Sequence, residues 1–151
     1  GTGHRPPKLG GYGADTYYKL VALAFDYIEE HKPHHIISGM ALGWDQALAD
    51  ASIAQRVPFT AACPFIDMHT KWPQRSQDKW NTLMNGASKI VYVSPGGYAA
   101  WKMQKRNEWM VDNADKILAL HDGSSGGTFN CLRYADKMHK QVDNLWERWV
   151  S

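Results

Sequence analysis

From Ala14 to His31 apolar side chains return every three or four positions, at Tyr17, Leu20, Val21, Ala24, Phe25 and Ile28. That one-sided stripe predicts a helix lying against a core. Pro33 closes it, and His35 to Ser38 (HIIS) follows as a short buried strand. The cycle then repeats. Trp44, Ala47, Leu48, Ala51 and Ala54 keep helical spacing until Pro58, and Phe59 to Ala62 reads as the next strand. Cys63 to Pro73 is a loop, and Gln74 to Ala87 predicts a polar helix with Trp80, Leu83 and Met84 on one side. Two further strands, KIVYV at Lys89 to Val93 and KILAL at Lys116 to Leu120, bracket a helix around Lys105 to Ala114. After the second, Cys131, Tyr134, Ala135 and Met138 share a helix face, and Gln141 to Leu145 is the last strand candidate.

Strands separated by helices need crossover connections, which are right-handed and give a mostly parallel sheet with helices on both faces. The pattern therefore predicts a doubly wound α/β domain. Its first strand should precede Thr2-Gly3-His4-Arg5, so it is expected to be short or to begin ahead of Gly1. With 151 residues, 44% of them hydrophobic, the whole chain fits a single domain.

Charge and composition then narrow the function. Seventeen basic and fifteen acidic residues give a net charge of +2 without a long single-sign run, so nucleic acid is possible but not favoured as a partner. No apolar stretch approaches the roughly 20 residues that span a bilayer, and GTGHRPPKLGG does not look like a signal peptide; a cytoplasmic protein without a membrane partner is expected. Cys63 and Cys131 lack metal-ligand spacing and His34-His35 has no third ligand nearby, so neither a metal nor a cofactor is expected.

Every glycine except Gly86 falls in one of four clusters: Gly1 to Gly13, Gly39 to Gly43, Gly96-Gly97, and Gly123 to Gly127. Three of these follow a strand pattern and precede a helical one, and the first opens the chain just before a helix. Glycine lets backbone turn sharply and approach a ligand closely, while the N–H groups of the following helix attract anions. Such turns on one sheet edge imply a shared crevice for a phosphate-bearing molecule.

Each turn has a bland reading beside a functional one. Arg5, with Thr2 and Gly3, offers a guanidinium fork for phosphate or carboxylate, or is a solvated residue at a frayed terminus. Asp45 either caps its helix or accepts hydrogen bonds from ribose hydroxyls. Pro95-Gly96-Gly97-Tyr98 is either a plain tight turn or part of a site with Trp101, Lys102, Lys105, Arg106, Asn107 and Trp109, which could stack a base and neutralise phosphate. Asp122 is either a cap or a site residue, and Gly126-Gly127-Thr128 could offer N–H groups and a hydroxyl to an anion. No turn has the GxxxxGK[ST] spacing of a nucleoside triphosphatase loop.

Taken in order, Thr2-Gly3-His4-Arg5-Pro6, Ile37 to Asp45 (ISGMALGWD), Ser94 to Gly97, Arg106 to Asp112 (RNEWMVD), and Asp122-Gly123 with Gly126-Gly127-Thr128 resemble the SLOG superfamily, most closely its YpsA-like members. The resemblance covers nearly the whole chain. It implies a Rossmann-like three-layer domain that binds nucleotides or NAD-derived and ADP-ribose-derived ligands. The ligand-binding residues it implies are Thr2, Gly3, His4, Arg5, Ser38, Gly39, Met40, Ala41, Gly43, Asp45, Pro95, Gly96, Gly97, Lys102, Arg106, Asn107, Asp122, Gly126, Gly127 and Thr128. The ISGMALGWDQALADA stretch is similar to that of the DNA-processing protein DprA, a single-strand binder. Pro95-Gly96-Gly97 resembles part of the LOG phosphoribohydrolase signature but lacks its Gly-Thr and downstream glutamate.

Three functions follow as expectations. The first is a sensor, carrier or sequestering protein for a nucleotide-derived small molecule. The second is an N-glycoside hydrolase acting on nucleoside monophosphates, for which Asp45, Glu108 and Asp122 are the candidate catalytic carboxylates. The third is a DprA-like nucleic-acid binder working through Trp101 to Trp109. Trp72, Trp80, Trp146 and Trp149 exceed what a small core readily hides, and with the resemblance they suggest a homo-oligomer.

Overall fold

The stripe from Ala14 becomes α1 (Ala14–His31), stopped by Lys32 in a left-handed conformation ahead of Pro33. The structure is a computed structural model that describes all of Gly1–Ser151. Along the chain come β1 (Thr2–Gly3), a 3-10 turn at Pro6–Lys8, α1, β2 (Ile36–Ser38), α2 (Trp44–Ala54), β3 (Phe59–Cys63), α3 (Gln74–Gly86), β4 (Lys89–Tyr92), α4 (Ala100–Asp112), β5 (Lys116–Leu120), α5 (Gly127–Lys137), β6 (Gln141–Asn144) and α6 (Trp146–Val150). No helix is long and apolar enough to cross a membrane.

All strand pairing is parallel, yet the ladder falls into two three-stranded parts, β1-β5-β6 and β2-β3-β4. Both residues of β1 pair with β5, Thr2 opposite Ala119 and Gly3 opposite Leu120. The Gly1 amino group donates to the Ile37 carbonyl at 2.7 Å, which sets β1 beside β2 and gives the order 4-3-2-1-5-6. The chain leaves β1 toward one side and returns at β5 on the other. Crevices form where the winding reverses in this way.

α1, α2, α3 and α6 cover one large core containing Leu20, Ala24, Trp44, Leu48, Phe59, Trp80 and Leu83. α4 and α5 pack together over a smaller cluster of Val111, Ile117, Cys131 and Ala135. Helices on either side of parallel strands make the domain α/β and Rossmann-like. Gly3 lets the Trp44 ring lie directly on β1, because a Cβ there would sit 2.4 Å from Trp44 Cδ1.

Several expectations need adjusting. In α1 the buried side includes Tyr27 and leaves Phe25 exposed: the Tyr27 hydroxyl donates to Asp143 at 2.6 Å and its ring stacks on His31. α4 begins at Ala100, five residues before the expected Lys105, because Trp101, exposed at its start, hides the onset of the pattern. α6 was not expected, and Met138 follows α5 as its exposed cap. The tryptophans read as surplus are used by the core: Trp80 is buried with Trp72 edge-on at 5.7 Å, and Trp146 and Trp149 pack partly buried against it.

Candidate functional site

Beyond the C-terminal ends of β1 and β5 lies a cavity of about 610 Å³. Thr2, Gly3, His4 and Arg5 follow β1 into its wall, Ala41 and Asp45 come from the β2–α2 turn, Arg106 and Asn107 from α4, and Ser124 to Asn130 from the start of α5. Three of the four glycine turns thus meet, bringing Arg5, Asp45 and Thr128 around one space.

The α5 side is open. Gly126 caps the helix at φ 140, and no side chain bonds the first-turn N–H groups. Such a terminus holds donors without intrahelical partners and a partial positive charge. Nothing lies within 4 Å of where a Cβ would stand on Gly126 or Gly127. Asn107 fixes the turn by donating to the Gly127 carbonyl at 3.3 Å. Across from it Arg5 is exposed, with no carboxylate at ion-pair distance.

The β2–α2 turn is closed upon itself. Ser38 Oγ donates to the Asp45 carbonyl at 2.7 Å and accepts from Met40 N–H at 3.2 Å, while Gln46 Nε2 donates to the Met40 carbonyl at 3.3 Å. Met40 is fully buried at φ 63, and Gly43 adopts φ 93 with the position of a Cβ 2.8 Å from the His4 carbonyl. Ser38, Gly39, Met40 and Gly43 therefore shape the turn from outside the cavity lining. Gly39 lets two charges approach: a Cβ there would stand 2.7 Å from Arg106 Nη1 and 2.9 Å from Asp45 Oδ2.

Those two charged side chains are buried, Asp45 at 5% exposure and Arg106 at 4%. Arg106 donates to the carbonyls of Gly39 and Ala62 and through Nε to Asn107 at 3.0 Å, tying α4 to β2 and β3. Burial pulls its guanidinium down from its ordinary pKa and Asp45 opposes the fall. Burial pushes the Asp45 carboxyl up, against Arg106, the amino terminus, the Ala41 N–H and Arg5. Asp45 Oδ2 accepts from Ala41 N–H at 3.3 Å, and no side-chain bond caps α2. Asp45 Oδ1 is buried without a partner.

His4, His121 and Asp122 stand beside the cavity with one possible metal-ligating atom each, all within 4.8 Å of one another. Their atoms already have protein partners. His121 Nε2 donates to the Ser124 carbonyl at 2.7 Å and Nδ1 accepts from Gly123 N–H at 3.3 Å. The Ser124 hydroxyl and N–H, with His4, hold the Asp122 carboxyl well below its usual range. His4 Nε2 is 2.8 Å from Asp122 Oδ1 and 3.1 Å from its backbone nitrogen. An ionised carboxylate favours the tautomer that donates to it, so Asp122 is a strut behind the wall, outside the lining. Burial lowers the His4 pKa, with Asp122 opposing.

The third turn reaches the cavity only through Tyr98. Pro95, Gly96, Gly97 and Lys102 do not line the cavity, and Lys102 Nζ donates to the carbonyls of Pro95, Gly96 and Gly97 at 2.9, 3.0 and 2.7 Å. A lysine engaged this way is not a free phosphate ligand. Glu108 lies off the cavity too, accepting from Gln104 at 3.2 Å. Sequence reasoning missed Lys8, His121 and Ser124 at the site, and named Tyr98 only as the end of the third turn. Lys8 Nζ reaches Ser124 Oγ at 2.5 Å because the Pro6–Lys8 turn folds back, a signal present in the Pro6-Pro7 pair.

Comparison with known proteins bears on family and fold. The model of the YspA SLOG family matches residues 2–146. The uncharacterized SPbeta prophage-derived protein YoqJ of Bacillus subtilis is 33% identical over 137 residues, covering 80% of each chain. A UPF0398 protein of Brevibacillus brevis is 26% identical over 109 residues, 68% of this chain and 57% of its own. Among solved structures, DNA processing protein A of Streptococcus pneumoniae superposes with a TM-score of 0.68 at 14% identity, over 95% of this chain and 48% of that one. The Helicobacter pylori protein of that name, described for its single-stranded DNA binding mode, gives 0.64 at 13% identity, over 95% and 63%. The chain thus spans about half to two thirds of these DprA chains, and the likeness is one of fold.

Proposed function

The chain belongs to the YspA SLOG family, and we propose that it binds a nucleotide or an NAD-derived or ADP-ribose-derived small molecule in the cavity beyond the C-terminal ends of β1 and β5, acting as a sensor, carrier or sequestering protein. The observation that carries this is Asp45, which lines the cavity and whose Oδ1 is a buried acceptor with no donor. Leaving such an atom unsatisfied costs about 1–3 kcal/mol or more, and a sugar hydroxyl is a donor of the right kind. The uncapped start of α5 and the unpaired Arg5 supply complementary anchors for phosphate. A ligand with phosphate at one end and hydroxyls at the other uses both.

The same placement favours binding over hydrolysis. Of the three carboxylates considered, only Asp45 lines the cavity, and burial biases it toward its neutral form. Titration calorimetry with AMP, ADP-ribose and NAD tests the proposal: saturable binding of at least one is expected, with no free base released on prolonged incubation. Failure of all three to bind overturns it, and sustained base release assigns the site to a hydrolase.

A second reading, single-stranded nucleic acid, draws on exposed Trp101 with Lys105 Nζ 5.8 Å from its ring, and on the DprA likeness. It requires binding that weakens steeply with salt.

A further inference from the structure

We propose that Tyr98 is the residue that recognises the base, by stacking on it at the rim of the cavity; this rests on the nucleotide reading above. Tyr98 lines the cavity and is 75% exposed, a large aromatic ring on a wall otherwise formed mainly by polar groups and backbone. The loop that carries it is fixed. Lys102, only 8% exposed, directs its three ammonium hydrogens to three consecutive carbonyls, those of Pro95, Gly96 and Gly97. Asp67 Oδ1 accepts the Gly97 N–H at 2.8 Å, and Gly97 takes φ 92, a conformation that favours glycine.

A buried lysine whose every donor serves one exposed loop has no part in the core, and what the loop presents to the cavity is Tyr98. Phe65 lies nearly perpendicular to the Tyr98 ring, centroids 6.3 Å apart at 80°, and leaves Tyr98 three-quarters exposed. Phe65 is buried and has Lys102 Nζ 5.7 Å from its ring, so the same ammonium supports both the loop and the ring's neighbour. A planar aromatic ring fits an open, pre-positioned aromatic face: stacking is sequence-tolerant, and the tyrosine loses little freedom when held beforehand. Trp101 is exposed as well but lies outside the lining. Lys102 is then a positioning residue, acting through the loop.

The experiment compares AMP with ribose 5-phosphate, which keeps the phosphate and sugar but lacks the base. In Tyr98→Ala the affinity for AMP should fall by about tenfold or more while that for ribose 5-phosphate changes by less than about twofold, the difference expected from losing one stacked base. Tyr98→Phe should retain the preference for AMP, since the ring face is kept. Lys102→Met should reduce the ratio of the two affinities, a readout that a merely structural role would not move. Equal loss for both ligands, or an AMP affinity unaffected by Tyr98→Ala, overturns the stacking role while leaving the nucleotide reading in place. Absence of any binding of AMP, ADP-ribose and NAD by the wild-type protein overturns both; where AMP alone fails, ADP-ribose takes its place in the comparison.

Discussion

The turn from β2 into α2 and the turn from β5 into α5 carry the same signature, glycines between a strand and a helix, and have opposite physical characters. The first is buried and its backbone is held by its own hydrogen bonds, with only Asp45 Oδ1 left unpartnered and with glycines required by what surrounds them. The second leaves the α5 donors uncapped, and its Gly126 and Gly127 have empty space where a Cβ would go. A glycine-rich turn is therefore not a binding loop by composition. It binds when its donors remain unused.

Substitutions that exploit this contrast should separate stability from affinity. The largest effect belongs to the closed turn: Gly43→Ala combines φ 93 with a Cβ 2.8 Å from the His4 carbonyl, and should cost about 3 kcal/mol or more in denaturant unfolding. A variant as stable as the parent would show that this turn is not closed. Next, Arg5→Ala at the open rim should weaken AMP binding by about 1.5–3 kcal/mol in calorimetry while changing unfolding by less than about 0.5 kcal/mol. An unchanged dissociation constant removes Arg5 from the site. The smallest effect sharpens the comparison most: Gly127→Ala, at an ordinary helical position with open space, should leave stability equal or raise it by about 0.5–1 kcal/mol, yet weaken phosphate binding by crowding the α5 donors. Loss of stability there would mean that the two turns are alike after all.

The alternation of strands and helices was legible because hydrophobic period responds to burial, and burial dominates in α1, β3 and β5. The division of the sheet was not, because it depends on a two-residue β1 whose pairing partner no local pattern names. At the site, Arg5, Asp45 and Thr128 could be grouped from their places after strands, since the topology brings strand ends together. The direction in which a side chain leaves the backbone could not be read. Lys102 and Arg106, four residues apart on α4, look equally suited to phosphate in sequence, yet Lys102 holds a loop and Arg106 holds β2 and β3. Asp122 likewise reads as a cap or ligand until His4, distant in sequence, is found against it.

The break in the strand ladder between β1 and β2 runs beneath the cavity. Thr2, Arg5 and the start of α5 stand on one side of that crease, while Ala41 and Asp45 stand on the other. Whatever occupies the cavity and touches both banks also links the two halves of the sheet, so occupancy and cohesion rise and fall together.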